Sequence, residues 1–183
     1  MKAVLDTCVI YPTVMREMLL GVAATGAFEP LWSERILEEW ARAAMKLGPE
    51  GEAQARGEAA LLGARWPNAR VTWAPSLEAR LWLPDIHDVH VLAAAVAGSA
   101  DVIVTLNAKD FPRGVLAEDG LSRADPDGFL LGFWQADQAG VEAVAAGVLQ
   151  QARRLSGAEW SARRLLKKAR LPRLAKAVSR ALD

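Results

Sequence analysis

Residues Leu83–Phe111 read LPDIHDVHVLAAAVAGSADVIVTLNAKDF. Pro84 and Asp85 open a helix, Val91, Leu92 and Ala95 recur at helical spacing to give it an inward face, and Gly98 closes it. Val102, Ile103, Val104 and Thr105 then form a continuous β-branched run, apolar on both faces. A strand of that kind belongs in a parallel sheet covered by helices. Lys2 to Leu5 supplies a second short apolar strand, which ends at Asp6. The alternation predicts a three-layer α/β fold, with a central parallel sheet flanked by helices.

Working outward, Tyr11-Pro12-Thr13 offers a turn and cap before Val14, Met18, Leu19 and Val22 recur at helical spacing, and Gly26 ends that helix. Ser33 caps the next one, SERILEEW, where Ile36, Leu37 and Trp40 make an apolar face. A further helix spans roughly Glu50 to Ala64, and Arg70 to Trp73 is a strand candidate between Pro67 and Pro75. After Gly114 strand signals nearly vanish. Asp125-Pro126-Asp127 caps a helix around Phe129 to Trp134; others follow at Val141 to Leu155, Ala158 to Ala169 and Pro172 to Leu182. The expected division is therefore an α/β domain over 1–122 and a helical C-terminal extension over 123–183.

The composition narrows the classes further. With 52% hydrophobic and 24% charged residues over 183 positions, the chain is an ordinary globular one and not disordered. Its uncharged runs stop far short of the ~20 apolar residues that cross a bilayer. Asp6 interrupts the first apolar run, which leaves no secretory core, and the lone Cys8 fits a reducing compartment, so a cytoplasmic protein is expected. The formal charge of zero conceals an uneven distribution. Residues 1–150 hold 12 Lys and Arg against 20 Asp and Glu, a net −8, whereas 151–183 hold 10 against 2, a net +8. An acidic body suits cations and a basic tail suits polyanions.

Ligands of open α/β sheets bind beyond the carboxyl ends of the strands. Asp6 follows the first strand there, and Asn107 and Asp110 follow the Val102–Thr105 strand. Glu38 and Glu39 lie on the SERILEEW helix, projecting about 100° apart, so only one leads inward. Asp85 and Asp88 begin the helix before the second strand. Carboxylates converging without lysine or arginine repel one another unless a hard divalent cation such as Mg²⁺ or Mn²⁺ neutralises them. Capping and the helix dipole account for Asp88 taken alone. Asp6 is harder to explain, because an acid ending a buried strand needs a partner. His87 and His90 are too few for a zinc site, Cys8 reads as a small core residue, and the tryptophans read as packing residues. Nucleotide-binding glycine loops and a serine-hydrolase elbow are lacking.

Asp6-Thr7-Cys8-Val9-Ile10, SERILEEW, DIHDVHVLAAA and ADVIVTLNAKDF, in that order over roughly residues 2 to 112, resemble the PIN-domain family, and within it the VapC-type toxin ribonucleases. The tail from Asp125 resembles the helical extension of one subgroup. The resemblance implies a metal-dependent endoribonuclease, with Asp6, Glu39, Asp88 and a fourth group as catalytic and Mg²⁺- or Mn²⁺-binding residues. Where the family often has Thr-x-Asp, this chain has Thr105-Leu106-Asn107 with Asp110 a turn later. Either Asn107 ligates through its amide oxygen or Asp110 supplies the charge; Asp110 is favoured, with Asn107 assisting. Thr7, Ser33, Asp85, Thr105 and Asn107 are the supporting set. The implied partners are an RNA of the tRNA or rRNA class, an antitoxin protein and a second copy of the chain. Arg163, Arg164, Lys167 and Lys168 are candidate RNA contacts, weighed against a merely solvated charged face. A phosphatase of the haloacid-dehalogenase type would need a second aspartate where Cys8 stands. A PIN-like module weakened at Asn107, acting as an RNA-binding or regulatory module without cutting, is the other reading.

Overall fold

The computed structural model describes residues 1–183, the side chain of Pro49 excepted. In chain order the elements are β1 (Lys2–Leu5), α1 (Thr7–Ile10), α2 (Thr13–Ala24), β2 (Glu29–Leu31), α3 (Glu34–Ala44) and α4 (Pro49–Arg65). There follow α5 (Pro75–Glu78), a 3-10 turn (Ile86–Asp88), α6 (Val89–Ala97), β3 (Val102–Val104), α7 (Arg113–Glu118) and β4 (Ser122–Ala124). The chain finishes with α8 (Pro126–Ala136), α9 (Gln138–Ser156), α10 (Ala162–Lys168) and α11 (Pro172–Leu182). Two compact units result. One comprises Met1–Tyr11 and Glu29–Ala124; the other comprises Pro12–Phe28 and Asp125–Asp183.

The first unit is an α/β fold built on a four-stranded parallel sheet in the order β2-β1-β3-β4. Neighbouring strand residues point to opposite faces, and Ala3, Val4 and Leu5 of β1 and Ile103 and Val104 of β3 are all fully buried. Both faces are therefore covered, which is why these strands are apolar throughout. Helix α6 lies against β1 and β3, and its residues Val89–Ala95 are buried. From β1 the chain first goes outward to β2, then crosses to β3 on the other side. That reversal is a topological switch point between β1 and β3, and their carboxyl ends flank the crevice it opens.

Two strands carry no sequence signal. Glu29-Pro30-Leu31 contains a proline, which a sheet accepts at an edge, and β2 is an edge strand. Ser122-Arg123-Ala124 is polar, and β4 forms the opposite edge. The Arg70–Trp73 strand reduces to one bridge, Trp32 to Arg70. Ser33, the residue after Trp32, is already the N-cap of α3, so the chain turns into a helix before a longer ladder can form.

The second unit is helical, with α2 grouped with α8–α11 although it falls between β1 and β2 in the chain. Phe28 meets Phe129 edge-on at 5.0 Å and stacks on Phe133 at 5.5 Å. Asp127 accepts hydrogen bonds from the backbone N–H of Arg173 and of Leu174, both at 2.9 Å, so it caps α11 from α8.

Candidate active site

Asp6 leaves β1 at the switch point and is 6% exposed. It stands at the N-terminus of α1 without capping it. Its Oδ2 instead accepts from the Thr105 hydroxyl at 2.7 Å and the Cys8 thiol at 3.0 Å. Thr105, buried beyond the end of β3, also accepts from the Asn107 N–H at 2.9 Å, which fixes the turn that follows the strand. Cys8 serves as a hydrogen-bond donor to Asp6. Burial first, and then the neighbouring Asp6 charge, push its thiol up to about 12, which keeps it protonated and donating.

Asp88 stands at the cap position of α6, but its side chain makes no capping bond, so helix capping does not account for it. Its Oδ2 is buried without a hydrogen-bond partner among the described residues. Burial first, then the charges of Asp6, Asp85 and Asp110, raise its pKa to about 6, against a smaller opposing influence of His90. Asp85 caps the 3-10 turn by accepting the His87 N–H at 2.9 Å, and Asp110 is half-buried beside the same segment.

Of the adjacent pair, Glu39 is the one that reaches Thr7 and His90, while Glu38 pairs with Arg42 and Arg56; both side chains are half-buried. The Thr7 hydroxyl donates to Glu39 Oε2 at 2.9 Å, and His90 Nε2 lies 2.9 Å from Oε1. That second approach is close but not in line, so neither ring nitrogen of the fully buried His90 has a directed hydrogen bond. Burial pushes the Glu39 carboxyl up, but His90, Thr7 and Arg35 outweigh it and its pKa lies below the usual value. Glu39 joins the aspartates through Thr7, next to Asp6 in the chain, and through His90, two residues beyond Asp88.

Of the other expected residues, Ser33 is buried at the N-cap of α3, where its hydroxyl accepts from the Ile36 N–H at 3.2 Å. The Asn107 side chain is half-buried on the turn between Thr105 and Asp110. His90 and Cys8 contact the candidate site residues, although the sequence suggests a surface or structural role for His90 and a small core residue at Cys8. The readable signal for His90 was its place in the otherwise apolar VHVLAAA, where full burial demands a partner. Arg163, Arg164, Lys167 and Lys168 are exposed on α10 of the second unit, with Arg164 and Lys168 over the Trp160 ring at 5.7 and 5.1 Å. Arg173 is not free for a ligand, because it pairs with Asp125 at 2.6 Å and Asp127 at 3.1 Å.

Among the described residues, no three of His, Cys, Asp and Glu are drawn close enough to form a ready-made metal cage. The donor chemistry nonetheless fits a hard divalent cation: oxygen ligands, excess negative charge and an orphaned carboxylate oxygen on Asp88. Fold and site thus define an α/β protein with an acidic crevice at the switch point of a parallel sheet. The family model described as PIN domain matches residues 2–109, and the chain belongs to the PIN-domain family. Members of that family are generally nucleases and generally use divalent metal ions. No curated protein and no solved structure matches the chain.

Proposed function

We propose that this chain is a metal-dependent endoribonuclease that hydrolyses RNA phosphodiester bonds, with residues 1–122 as the nuclease domain and 123–183 as a helical extension. The observation that carries the reading is a buried Asp6 at the switch point together with Asp88, whose Oδ2 is buried without a hydrogen-bond partner among the described residues and whose ionisation is opposed by the charges of Asp6, Asp85 and Asp110. Asp6, Glu39, Asp88 and Asp110 would hold Mg²⁺ or Mn²⁺. Such an ion supplies positive charge to the scissile phosphate and lowers the pKa of a water.

The protein's own contribution is orientation. Thr105 and Cys8 fix the Asp6 carboxylate from one side, which leaves its direction little freedom. Thr7 and His90 hold Glu39 ionised, so no proton has to leave it before a cation binds. Asp88 differs in giving up its proton only near neutrality. Hydrolysis would leave a 5′-phosphate and a 3′-hydroxyl. The VapC-like motif order further supports a toxin role, with an antitoxin protein covering the crevice, self-association and a tRNA or rRNA substrate.

Purified protein is expected to cut RNA in Mn²⁺, to stop in EDTA, and to lose at least ~100-fold in rate as Asp6→Asn, Glu39→Gln or Asp88→Asn. Equal cutting by wild type and Asp6→Asn would remove the site assignment. Asn107 is what favours the alternative, a weakened RNA-binding module. That module would bind Mn²⁺ poorly in a calorimetric titration and leave RNA intact.

A further inference from the structure

Trp82 is 64% exposed, whereas Trp32 and Trp40 are buried and the other four tryptophans are partly covered. A tryptophan left in water forgoes the largest apolar burial any side chain offers, so its exposure asks for an occupant. Beside it Ile86 is 76% exposed. The two line a cleft of about 540 Å³ with Pro84, Asp85, His87 and Asp110. That volume lies within the ~300–1,000 Å³ range of small-ligand clefts. Asp110, one of the proposed metal ligands, and Asp85, of the supporting set, both line this cleft, so the cleft borders the proposed site.

We infer that Trp82, backed by Ile86, stacks a nucleobase of the nucleotide flanking the scissile phosphate. The inference rests on the nuclease reading above. Its chemistry follows from charge. The two carboxylates repel phosphate groups from the cleft, so the RNA backbone stays outside and what enters is a neutral, flat group. An indole face stacks on any base. Asp85, which is not among the proposed metal ligands, adds an acceptor that suits the exocyclic amino group of a base such as cytosine. The site thereby sets how the strand lies across the carboxylates, and Trp82 is a positioning residue for the phosphate.

The test uses the full chain made cleavage-dead by Asp6→Asn, titrated with short fluorescein-labelled single-stranded RNAs carrying an abasic ribose at each position in turn. Anisotropy is expected to show roughly tenfold weaker binding for Trp82→Ala and near-complete recovery for Trp82→Phe. One abasic position should weaken the Trp82 protein by the same factor and leave Trp82→Ala unaffected. Unchanged affinity in Trp82→Ala, or an abasic effect that persists without the indole, overturns the stacking site. If the chain without Asp6→Asn still cuts RNA in Mn²⁺, the nuclease reading survives that loss. Binding that depends on Trp82 without cutting by that chain would keep the stacking site and sink the nuclease reading, and absence of both binding and cutting sinks both. Loss of self-association in Trp82→Ala at unchanged RNA affinity, followed by light scattering, would assign the indole to a protein contact and overturn the proposal.

Discussion

Asp88 has the carboxyl whose surroundings most oppose its charge, since burial and three neighbouring aspartates act together. Its folded pKa of about 6 lies above the ordinary value near 4, so the folded chain holds this proton more tightly than the unfolded one. Stability contributed by the protonated form is present below about pH 4 and is lost as pH rises through about 6. In metal-free buffer Asp88→Asn is therefore expected to raise unfolding stability at about pH 7.5 by ~1 kcal/mol, a figure reduced for the partial solvation of the group. The gain should vanish near pH 4, and urea unfolding of both proteins at the two pH values measures it; an equal difference at both would remove the cause assigned. Asp110 and Asn107 separate in the same spirit. Asp110 acts electrostatically on Asp88, whereas Asn107 brings no charge, so Asp110→Asn should lower the cleavage rate roughly tenfold more than Asn107→Ala, a difference of ~1.4 kcal/mol in barrier. Equal losses in Mn²⁺ cleavage assays would point to joint ligation. The aspartates were legible because acids at strand ends and helix starts stand out against apolar runs. The Thr105 hydroxyl on Asp6 and His90 beside Glu39 were not, since both depend on the tertiary approach of segments far apart in the chain.

At the scale of elements, strong periodicity marked β1, α3, α6 and β3, and the parallel sheet that they build follows from burial on both faces. What escaped was edge structure. Three-residue strands such as β2 and β4 are held by pairing to a partner already in place, and their own residues, Pro30 and Arg123 among them, advertise nothing. The close of α6 shows how tightly these pieces meet. A Cβ on Gly98 would lie 2.8 Å from Leu31 Cδ1, 3.0 Å from the Ala94 carbonyl oxygen and 3.1 Å from Val71 Cγ2. The first contact involves a movable side-chain end, but the carbonyl is fixed by the helix. Gly98→Ala is expected to destabilise the fold by ~1–3 kcal/mol through overpacking between α6 and the β2 edge. Thermal unfolding checks this, with Gly57→Ala, at an open helical position, as the control that should not lose stability. A Gly98→Ala protein as stable as wild type would mean that Leu31 repacks at no cost.

Over the whole molecule the zero net charge separates into an acidic stretch of 1–150 and a basic one of 151–183, and each sign has its own use. In the proposed reading Asp6, Glu39, Asp88 and Asp110 are the acids that would hold a cation. The bases present Arg163, Arg164, Lys167 and Lys168 along an exposed side of α10, whose Leu165 and Leu166 are buried, so these charges can be removed without opening a core. Arg173, on α11, is instead engaged with Asp125 and Asp127 within the helical unit. We expect the four α10 charges to add affinity for RNA and nothing to the chemical step. Phosphate contacts release counterions, and on single strands each lowers the slope of log affinity against log salt by about 0.7. Changing all four to Gln in the Asp6→Asn chain should make that slope shallower by about 1 to 3 and weaken binding most at low salt. In the cleaving protein the same changes should raise KM and leave kcat near its original value, because they remove binding that ground state and transition state share. An unaltered slope, measured from about 50 to 300 mM salt, would assign α10 to a protein surface instead.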